Sequence, residues 1–393
     1  MTDTLAFVIP WYGEDIPGGA EAACRSLVKT LSRAGLPVEV LTTCVREFRS
    51  DWSENHHPEG ESSESGVKVR RFRVRPRDTA AFDRVNYKLM QGQAVSSEEE
   101  QIFVAEMINS PGLYEYIDGH RNQYVFLFIP YMFGTTYWGS QVCPERSLLI
   151  PCLHDESYAY MEVFRRMVES VRGVIFLSRE EQNLALRLYH LDLAKTSVIG
   201  VPLDCSWQAD RQRFVDKYGL QDFLLYAGRT EKGKNADLLI EHFCRYAGET
   251  DPNRKLVFIG DGEVQAPDSH RSRVVQLGFL PQQDKYDCYA AALALCVPSV
   301  AESFSIVMME SWLAGRPVIV NRACAVTTDY CRRSNGGLYF NDYEEFREIV
   351  KELARNPGMA GILGQQGRRF VCENYSPERV ADQYLRALKE LKI

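Results

Sequence analysis

Two glutamates, Glu302 and Glu310, lie on either side of a predicted helix start in the segment VPSVAESFSIVMMESWLAGRPVIV, residues 297–320. The apolar spacing and the Gly-Arg-Pro stop predict a strand, a loop, a helix over 306–313 and a second strand at 318–320. Glu302 then lies in the loop and Glu310 inside the helix. Open α/β sheets bind ligands in such crevices, so both carboxylates could accept hydrogen bonds from a ligand. The alternative is that Glu302 is a solvated loop residue and that Glu310 lies on an exposed helix face.

A second segment, FLLYAGRTEKGKN at 223–235, runs from a short apolar strand through Gly228 into cationic side chains. Arg229 supplies a planar fork of donors and Lys234 a point charge. The helix predicted next would add free N–H groups and a positive dipole end, which favour an anion such as phosphate. No Walker pattern is present. The alternative is a solvated basic turn.

Two further loops follow predicted strands. KLVFIGDGE at 255–263 ends in Gly260 and Gly262, where the missing side chains would let a ligand approach the backbone, although GDG is also a common turn. In the loop GFLP, Phe279 and Leu280 could lie beside a nucleobase or close the core.

The signals GRTEKGKN, GDG, GFLP and ESFSIVMME occur in an order and at separations that resemble the carboxyl-terminal half of the family 4 glycosyltransferases. These are retaining enzymes with the GT-B fold that use sugar nucleotides, and the two glutamates match their E-x7-E motif. The start of the chain, LAFVIPWYGEDIPGGAE at 5–21, is similar to the family's first strand and glycine-rich loop. LLIPCLHDESY at 148–158 is similar to the segment that carries the family's active-site histidine.

The resemblance implies an α/β fold with GT-B architecture, in which two Rossmann-like domains face each other across a cleft. Residues 1–200 are expected to form the acceptor-binding domain and residues 201–375 the donor-binding domain. The last helix, about 376–393, is expected to cross back to the first domain. The length of 393 residues suits two domains. Residues 46–66 are predicted to be an irregular polar insert.

Residue by residue, the resemblance implies that Arg229 and Lys234 hold the donor diphosphate and that Glu302 lies near the donor sugar. Glu310 would accept hydrogen bonds from the ribose hydroxyls, and His154 would contact the sugar near its reacting face. The catalytic residues are then His154, Arg229, Lys234 and Glu302. The donor-binding residues are Gly19, Gly228, Arg229, Lys234, Gly260, Gly262, Phe279, Leu280, Ser303, Phe304, Ser305, Ile306 and Glu310.

Ser303 or Ser305 is the expected N-cap of the helix after Glu302, and the amides of 303–306 would face the donor sugar and phosphate. Ser305 occupies a position where the family commonly has glycine. Gly18, Glu21 and Tyr131 are the candidates for acceptor binding. Alternatively, Gly18 belongs to a plain strand-to-helix turn, Glu21 complements the helix dipole, and Tyr131 is a core aromatic. Trp52 and Tyr137 are further aromatics that either stack on sugars or belong to the core.

The activity implied is transfer of a glycosyl group from a GDP- or UDP-linked sugar to a hydroxyl of a glycan or lipid-linked acceptor, with retention of configuration. Bacterial surface polysaccharide or glycolipid assembly is the expected setting. No D-x-D motif occurs, so no metal or other cofactor is expected, and cationic side chains would replace the metal. The alternatives are a sugar-nucleotide epimerase or hydrolase on this fold, and a non-catalytic subunit that binds sugar nucleotides or glycans.

The composition of the chain indicates which classes of binding partner are expected. The net charge of −7 argues against nucleic acid, which needs a basic surface. Eleven scattered cysteines without a C-x2-C pair predict neither a zinc site nor a disulfide framework, and a cytoplasmic location is expected. No apolar run approaches the roughly 20 residues of a membrane span. The basic stretch GVKVRRFRVRPR at 66–77 is either a strand with a solvated face or a peripheral contact with anionic lipid at the inner membrane face.

Overall fold

The computed structural model describes residues 3–230 and 232–392. The chain forms two compact units, one comprising Met1–Pro202 with Pro377–Ile393 and the other Leu203–Ser376. Short apolar runs form the central strands of both units, because helices cover both faces of a parallel sheet. All five residues of the strand Tyr124–Phe128, for example, are buried.

The strands of the first unit are β1 Thr4–Val8, β2 Val38–Thr43, β3 Gly60–Glu64, β4 Val67–Phe72, β5 Tyr124–Phe128, β6 Ser147–Leu149, β7 Gly173–Phe176 and β8 Thr196–Val198. They form a sheet in the order β3-β4-β2-β1-β5-β6-β7-β8. β3 and β4 pair antiparallel, and the other neighbours pair parallel. The strand order reverses between β1 and β5. The loops that follow these two strands therefore open at a topological switch point, where α/β sheets bind ligands.

Helices connect the strands of the first unit. One face of α1 is buried, including Ala23, Leu27 and Leu31 at a spacing of four residues, which is the period of a helix packed on a sheet. The helices are α1 Gly19–Arg33, α2 Thr79–Met90, α3 Ser97–Glu106, α4 Pro111–Gly119, α5 Gly134–Ser140, α6 Glu162–Ser170 and α7 Arg179–Leu188.

The polar insert and the basic stretch form a β-hairpin. The prediction that 46–66 is irregular throughout is wrong at its end, because GESSE forms the edge strand β3 by backbone pairing with β4, without the apolar residues that would reveal a strand. Carboxylates of β2 and β3 neutralise the basic residues of β4. Lys68 and Arg70 pair with Glu39 and Glu61, and Arg71 pairs with Glu64.

The strands of the second unit are β9 Leu224–Ala227, β10 Leu256–Ile259, β11 Val274–Gly278, β12 Ala294–Val297, β13 Val318–Asn321 and β14 Gly337–Phe340. All pair parallel, in the order β11-β10-β9-β12-β13-β14. This is the strand order of a Rossmann-type sheet, with its switch point between β9 and β12. The prediction of an α/β chain with two Rossmann-like domains is confirmed.

The helices of the second unit are α8 Arg211–Tyr218, α9 Ala236–Glu249, α10 Gln282–Ala291, α11 Ile306–Leu313, α12 Ala325–Ser334, α13 Tyr343–Arg355 and α14 Pro357–Tyr375. The helix predicted at 306–313 and the strand predicted at 318–320 are present as α11 and β13. The final helix, α15 Pro377–Glu390, returns the chain to the first unit, where the carbonyl of Leu391 accepts hydrogen bonds from Arg172. None of the helices in the described residues combines the length and apolar character needed to cross a bilayer.

Candidate functional site

An ion pair joins the two loops at the switch point of the second unit. Lys234, after β9, lies with its Nζ atom 2.8 Å from Oε1 of Glu302, after β12. The Asn235 side-chain amide also donates to the carbonyl of Pro298, at 3.3 Å, so the loops are tied at two points. The side chains of Lys234 and Glu302 are only 28% and 12% exposed. The structure therefore brings two of the predicted catalytic residues together at the edge where a parallel sheet binds ligands.

Glu310 is held by two side chains of the neighbouring helix α10. Its Oε1 atom lies 2.6 Å from Nζ of Lys285, and its Oε2 atom accepts from the hydroxyl of Tyr289 at 2.9 Å. Burial and the Glu310 charge raise the pKa of Tyr289 well above its usual value, so the hydroxyl keeps the proton that it donates. Glu310 is 9% exposed, so the interpretation that it lies on a solvated helix face is wrong. Each carboxylate oxygen keeps lone pairs for a further donor such as a ribose hydroxyl.

Lys285 and Tyr289 were not predicted as site residues from the sequence. They lie four residues apart on α10, so they share a face of that helix, and this spacing was the available signal. That their face meets Glu310 depends on the packing of α10 against α11, which the pattern of α10 alone does not give.

Ser305 is the N-cap of α11, but it makes no side-chain cap. Its φ of 64° is in the left-handed region, and α11 has no side-chain hydrogen bond at its cap. Ser305 is 6% exposed, and its Oγ atom has no hydrogen-bond partner among the described residues. A residue other than glycine pays about 1–2 kcal/mol for this conformation. The helix therefore begins with first-turn amides that no side chain caps, as an anion-binding helix terminus requires.

Phe304 was predicted to bind the donor, but its ring belongs to the core. It is 2% exposed and packs edge-on against Tyr330 and Tyr375, with centroid distances of 5.9 and 5.0 Å. Only its backbone could take part in binding. Ser303 and Ile306, on either side of the turn, are half-buried.

Two of the predicted donor-binding glycines, Gly260 and Gly262, allow the loop after β10 to pack closely on the loop after β9. A Cβ atom on Gly260 would lie 2.5 Å from the carbonyl oxygen of Gly228, and one on Gly262 would lie 2.0 Å from Oγ1 of Thr230. The same two loops are joined by backbone hydrogen bonds, in which the N–H of Gly228 donates to the carbonyl of Ile259 and the N–H of Thr230 to the carbonyl of Asp261. Gly228 itself has space around its Cα atom. These contacts fix the backbone on both sides of the half-buried Arg229, whose carbonyl accepts from Tyr226.

The loop after β11 presents an apolar side chain to solvent. Phe279 is 65% exposed, and Leu280 beside it is half-buried. The alternative that Phe279 closes the core is therefore wrong. An exposed ring next to a strand end is suited to stacking on a planar ligand.

In the first unit, His154 lies in the loop after β6. Its Nδ1 atom is 4.0 Å from Oε1 of Glu156, and the two side chains are 30% and 32% exposed. Glu156 also accepts a hydrogen bond from the hydroxyl of Tyr131 at 3.3 Å. The ring of Tyr131 is 1% exposed and packs on Phe164, so Tyr131 supports Glu156 and offers no face to an acceptor. The core interpretation also holds for Tyr137, which is 8% exposed, and Trp52 packs among core aromatics.

Glu21 folds back over the glycine loop at the start of α1. Its carboxylate accepts from Nε1 of Trp11 at 2.5 Å, and a Cβ atom on Gly18 would lie 1.9 Å from it. Gly18 has a φ of 142°, whereas Gly19 is exposed and has open space around it. At 9% exposure, Glu21 holds the loop in place rather than reaching into solvent toward an acceptor.

A cavity of about 580 Å³ opens beside this loop in the first unit. It is lined by the loop after β1, including Tyr12 and Ile16, and by the segment from His56 to Glu64. In the described residues, no group of three or more His, Cys, Asp and Glu side chains is arranged to hold a metal ion.

Comparison with known proteins assigns the second unit most clearly. The family described as "Glycosyl transferases group 1" matches residues 209–370. A D-inositol 3-phosphate glycosyltransferase of Nocardioides sp. is 22% identical over 95% of this chain and 86% of its own length. Another, from Kribbella flavida, is 26% identical over 51% of this chain and 52% of its own length. The chain thus spans about half the length of some of the curated relatives that it matches.

Solved structures match the whole chain. Sucrose-phosphate synthase from Thermosynechococcus elongatus superposes with a TM-score of 0.72 at 17% identity, over 100% of this chain and 99% of its own. Anabaena HepE in complex with UDP-glucose superposes with a TM-score of 0.68 at 16% identity, over 99% and 100%. The chain therefore has the GT-B fold, and its second unit matches the group 1 glycosyl transferases.

Proposed function

We propose that the chain is a retaining family 4 glycosyltransferase that moves a hexosyl group from a UDP-linked sugar to an acceptor hydroxyl. The observation that carries the proposal is the arrangement around α11. There Lys234 pairs with Glu302, and Glu310 is oriented by Lys285 and Tyr289 at the carboxyl edge of the sheet. UDP is favoured over GDP because solved structures of the same fold hold UDP, UDP-glucose or UDP-2-fluoro glucose.

In this proposal, the donor diphosphate binds at the uncapped amino terminus of α11. Arg229 and Lys234 would neutralise the charge that grows on the UDP leaving group, and this lowers the barrier to transfer. Glu302 orients the Lys234 ammonium group through their 2.8 Å contact. Glu310 would accept from the ribose hydroxyls, and Phe279 would lie beside the base.

The first unit would supply the acceptor side. We propose that a glycan or lipid-linked acceptor of bacterial surface polysaccharide assembly enters the 580 Å³ cavity beside the loop after β1. His154 would contact the donor sugar near its reacting carbon. No metal is part of this proposal, because Arg229, Lys234 and the amino terminus of α11 would together neutralise the diphosphate, and the reaction would take place in the cytoplasm.

The donor is tested by calorimetric titration with UDP, GDP and ADP, with and without EDTA. UDP should bind most tightly, and EDTA should leave the affinity unchanged. Tighter binding of GDP would redirect the donor assignment, and no binding of any nucleotide would favour a non-catalytic subunit.

The reaction is tested by proton NMR of products from UDP-α-glucose with a panel of glycan acceptors. Retention predicts an α-linked product at the first appearance of signal. A β-linked product would contradict the retaining mechanism, and free glucose formed without acceptor would favour a hydrolase.

A further inference from the structure

One buried carboxylate bridges two strand ends in the first unit. Glu181, in the first turn of α7, is 1% exposed. Its Oε1 atom accepts from the N–H of Leu153 and its Oε2 atom from the N–H of Leu177, both at 2.6 Å. Its own N–H donates to the N-cap side chain of Ser178 at 3.2 Å. One side chain therefore fixes the loop after β6, the end of β7 and the start of α7 together.

The backbone that Glu181 holds is in an unfavourable conformation. Cys152 has a φ of 54°, in the left-handed region, which is unfavourable for a residue other than glycine. Such a conformation persists only where its surroundings impose it. The hydrogen bond to Glu181 comes from the next residue, Leu153, and His154 follows directly.

We propose that Glu181 is a positioning residue for His154. By accepting the N–H of Leu153, it holds the peptide between Cys152 and Leu153, one residue before His154, and so fixes the backbone that orients the imidazole. The inference rests on the proposed function, because His154 has a role only if a sugar is transferred.

The groups around Glu181 come from three further elements. The Cys152 thiol faces Glu181 together with Cys24 and Glu21 of α1, and Tyr384 of α15 faces both thiols. Burial raises the pKa of Cys24, Cys152 and Tyr384 above their usual values, so these three stay neutral near pH 8.

Burial also raises the pKa of Glu181 itself, to about 8, against the opposing effect of its backbone N–H donors. Protonation replaces one acceptor oxygen by a hydroxyl, so one of the two 2.6 Å bonds weakens as pH falls through this value. Turnover should therefore decline below about pH 8 if the bond to Leu153 positions His154.

The test compares Glu181→Gln and Glu181→Asp with Glu39→Gln. Gln cannot accept with both ends of its amide, and Asp is one methylene shorter. Glu39 is a matched control, since it is 3% exposed in the same unit and accepts from Tyr124 and Arg70, but it lies at the amino end of β2, opposite to the strand ends that carry His154. The measurements are UDP affinity, turnover of UDP-glucose against pH, and the His154 imidazole resonance, assigned with His154→Gln.

Glu181→Gln should bind UDP as the parent does, turn over at least about tenfold more slowly, lack the parent's decline below pH 8, and shift the His154 resonance. Glu181→Asp should be intermediate, and Glu39→Gln should leave all these unchanged. An unshifted His154 resonance in both Glu181 variants would overturn the inference, and so would an equal loss of turnover in the control. If the parent turns over no UDP-sugar, the proposed function fails, while the resonance still decides whether Glu181 positions His154.

Discussion

The carboxylate of Glu310 already accepts one hydrogen bond at each oxygen, and this is the most constrained contact of the candidate site. Tyr289→Phe should remove the donor to Oε2 and leave that oxygen buried without its partner. The cost should be about 1–3 kcal/mol of the free energy of unfolding, measured in urea, together with weaker UDP binding. Tyr286→Phe is the control, because Tyr286 lies on the same helix and makes no bond to Glu310. Equal stability of the two variants would contradict the assignment.

Ser305 combines backbone strain with a buried hydroxyl. Ser305→Gly should raise the free energy of unfolding by about 0.5–1 kcal/mol, since glycine adopts the left-handed conformation without the penalty of a Cβ atom. Ser303→Gly, two residues earlier and without a positive φ, should instead lower it by a few tenths of a kcal/mol. A lower melting temperature for Ser305→Gly than for Ser303→Gly would show that the serine is not strained.

Single residues differ in how far the sequence could predict them. Lys234 and Glu302 follow adjacent strands of a predictable sheet, so their meeting was accessible from the pattern. The buried position of the Phe304 ring was not predictable, because it packs on Tyr330 and Tyr375, which lie far along the chain on α12 and α14. The partners of Glu310 depend on how two helices pack, and no spacing along one helix encodes that.

At the level of elements, α14 packs against the helix that carries Glu310 through positions that tolerate no side chain. A Cβ atom on Gly364 would lie 2.0 Å from the carbonyl oxygen of Gly315, just after α11. Gly364→Ala should therefore cost about 1–3 kcal/mol and weaken UDP binding by displacing α11. Gly361→Ala, on the same helix with nothing within 4 Å, should instead add about 0.5–1 kcal/mol through helix propensity. Similar melting temperatures for the two variants would exclude this close contact.

A buried aspartate ties α8 to α10. Asp287 is 1% exposed and accepts from Arg213 and from the N–H of Asp210. Burial alone would raise its pKa, but these hydrogen bonds outweigh burial and lower it below 3.8. Its contribution is therefore present above pH 3.8 and lost as pH falls through the lowered value.

Asp287→Asn should cost about 1–3 kcal/mol near neutral pH, and the difference from the parent should shrink near pH 3. Urea unfolding of the parent and the variant at pH 7 and pH 3 measures this difference in the free energy of unfolding. A difference that stays constant down to pH 3 would contradict the lowered pKa.

Elements with apolar periodicity were predictable, and polar ones were not. β12, α11 and β13 follow from apolar runs bounded by serine, glycine and proline. β3 has the sequence GESSE and exists because β4 offers it a pairing edge and basic partners for its glutamates. Its strand character comes from that partner rather than from its own residues.

For the whole molecule, the same strand reversal occurs in both units, between β1 and β5 and between β9 and β12. Each reversal creates a crevice. At the first reversal the glycine loop follows β1, and the 580 Å³ cavity lies on the other side of that loop, toward β2, β3 and β4. At the second reversal lie the ion pairs Lys234–Glu302 and Lys285–Glu310 and a helix without a side-chain cap. The fold class was predictable because four loop motifs in a fixed order resemble one family, and the strand–loop–helix segments that carry them are the units from which parallel sheets are built. The cavity depends on the insert and could not be predicted.

The proposed function requires the crevice of the second unit to bind UDP through Arg229, Lys234 and Glu310. The most direct measurement is calorimetric UDP binding to the parent, Arg229→Ala and Glu310→Gln, with urea unfolding of each protein. We expect UDP binding by the parent, at least about a tenfold loss of affinity in both variants, and a much smaller change in the free energy of unfolding. If both variants bound UDP as tightly as the parent, UDP would not bind through Arg229 and Glu310.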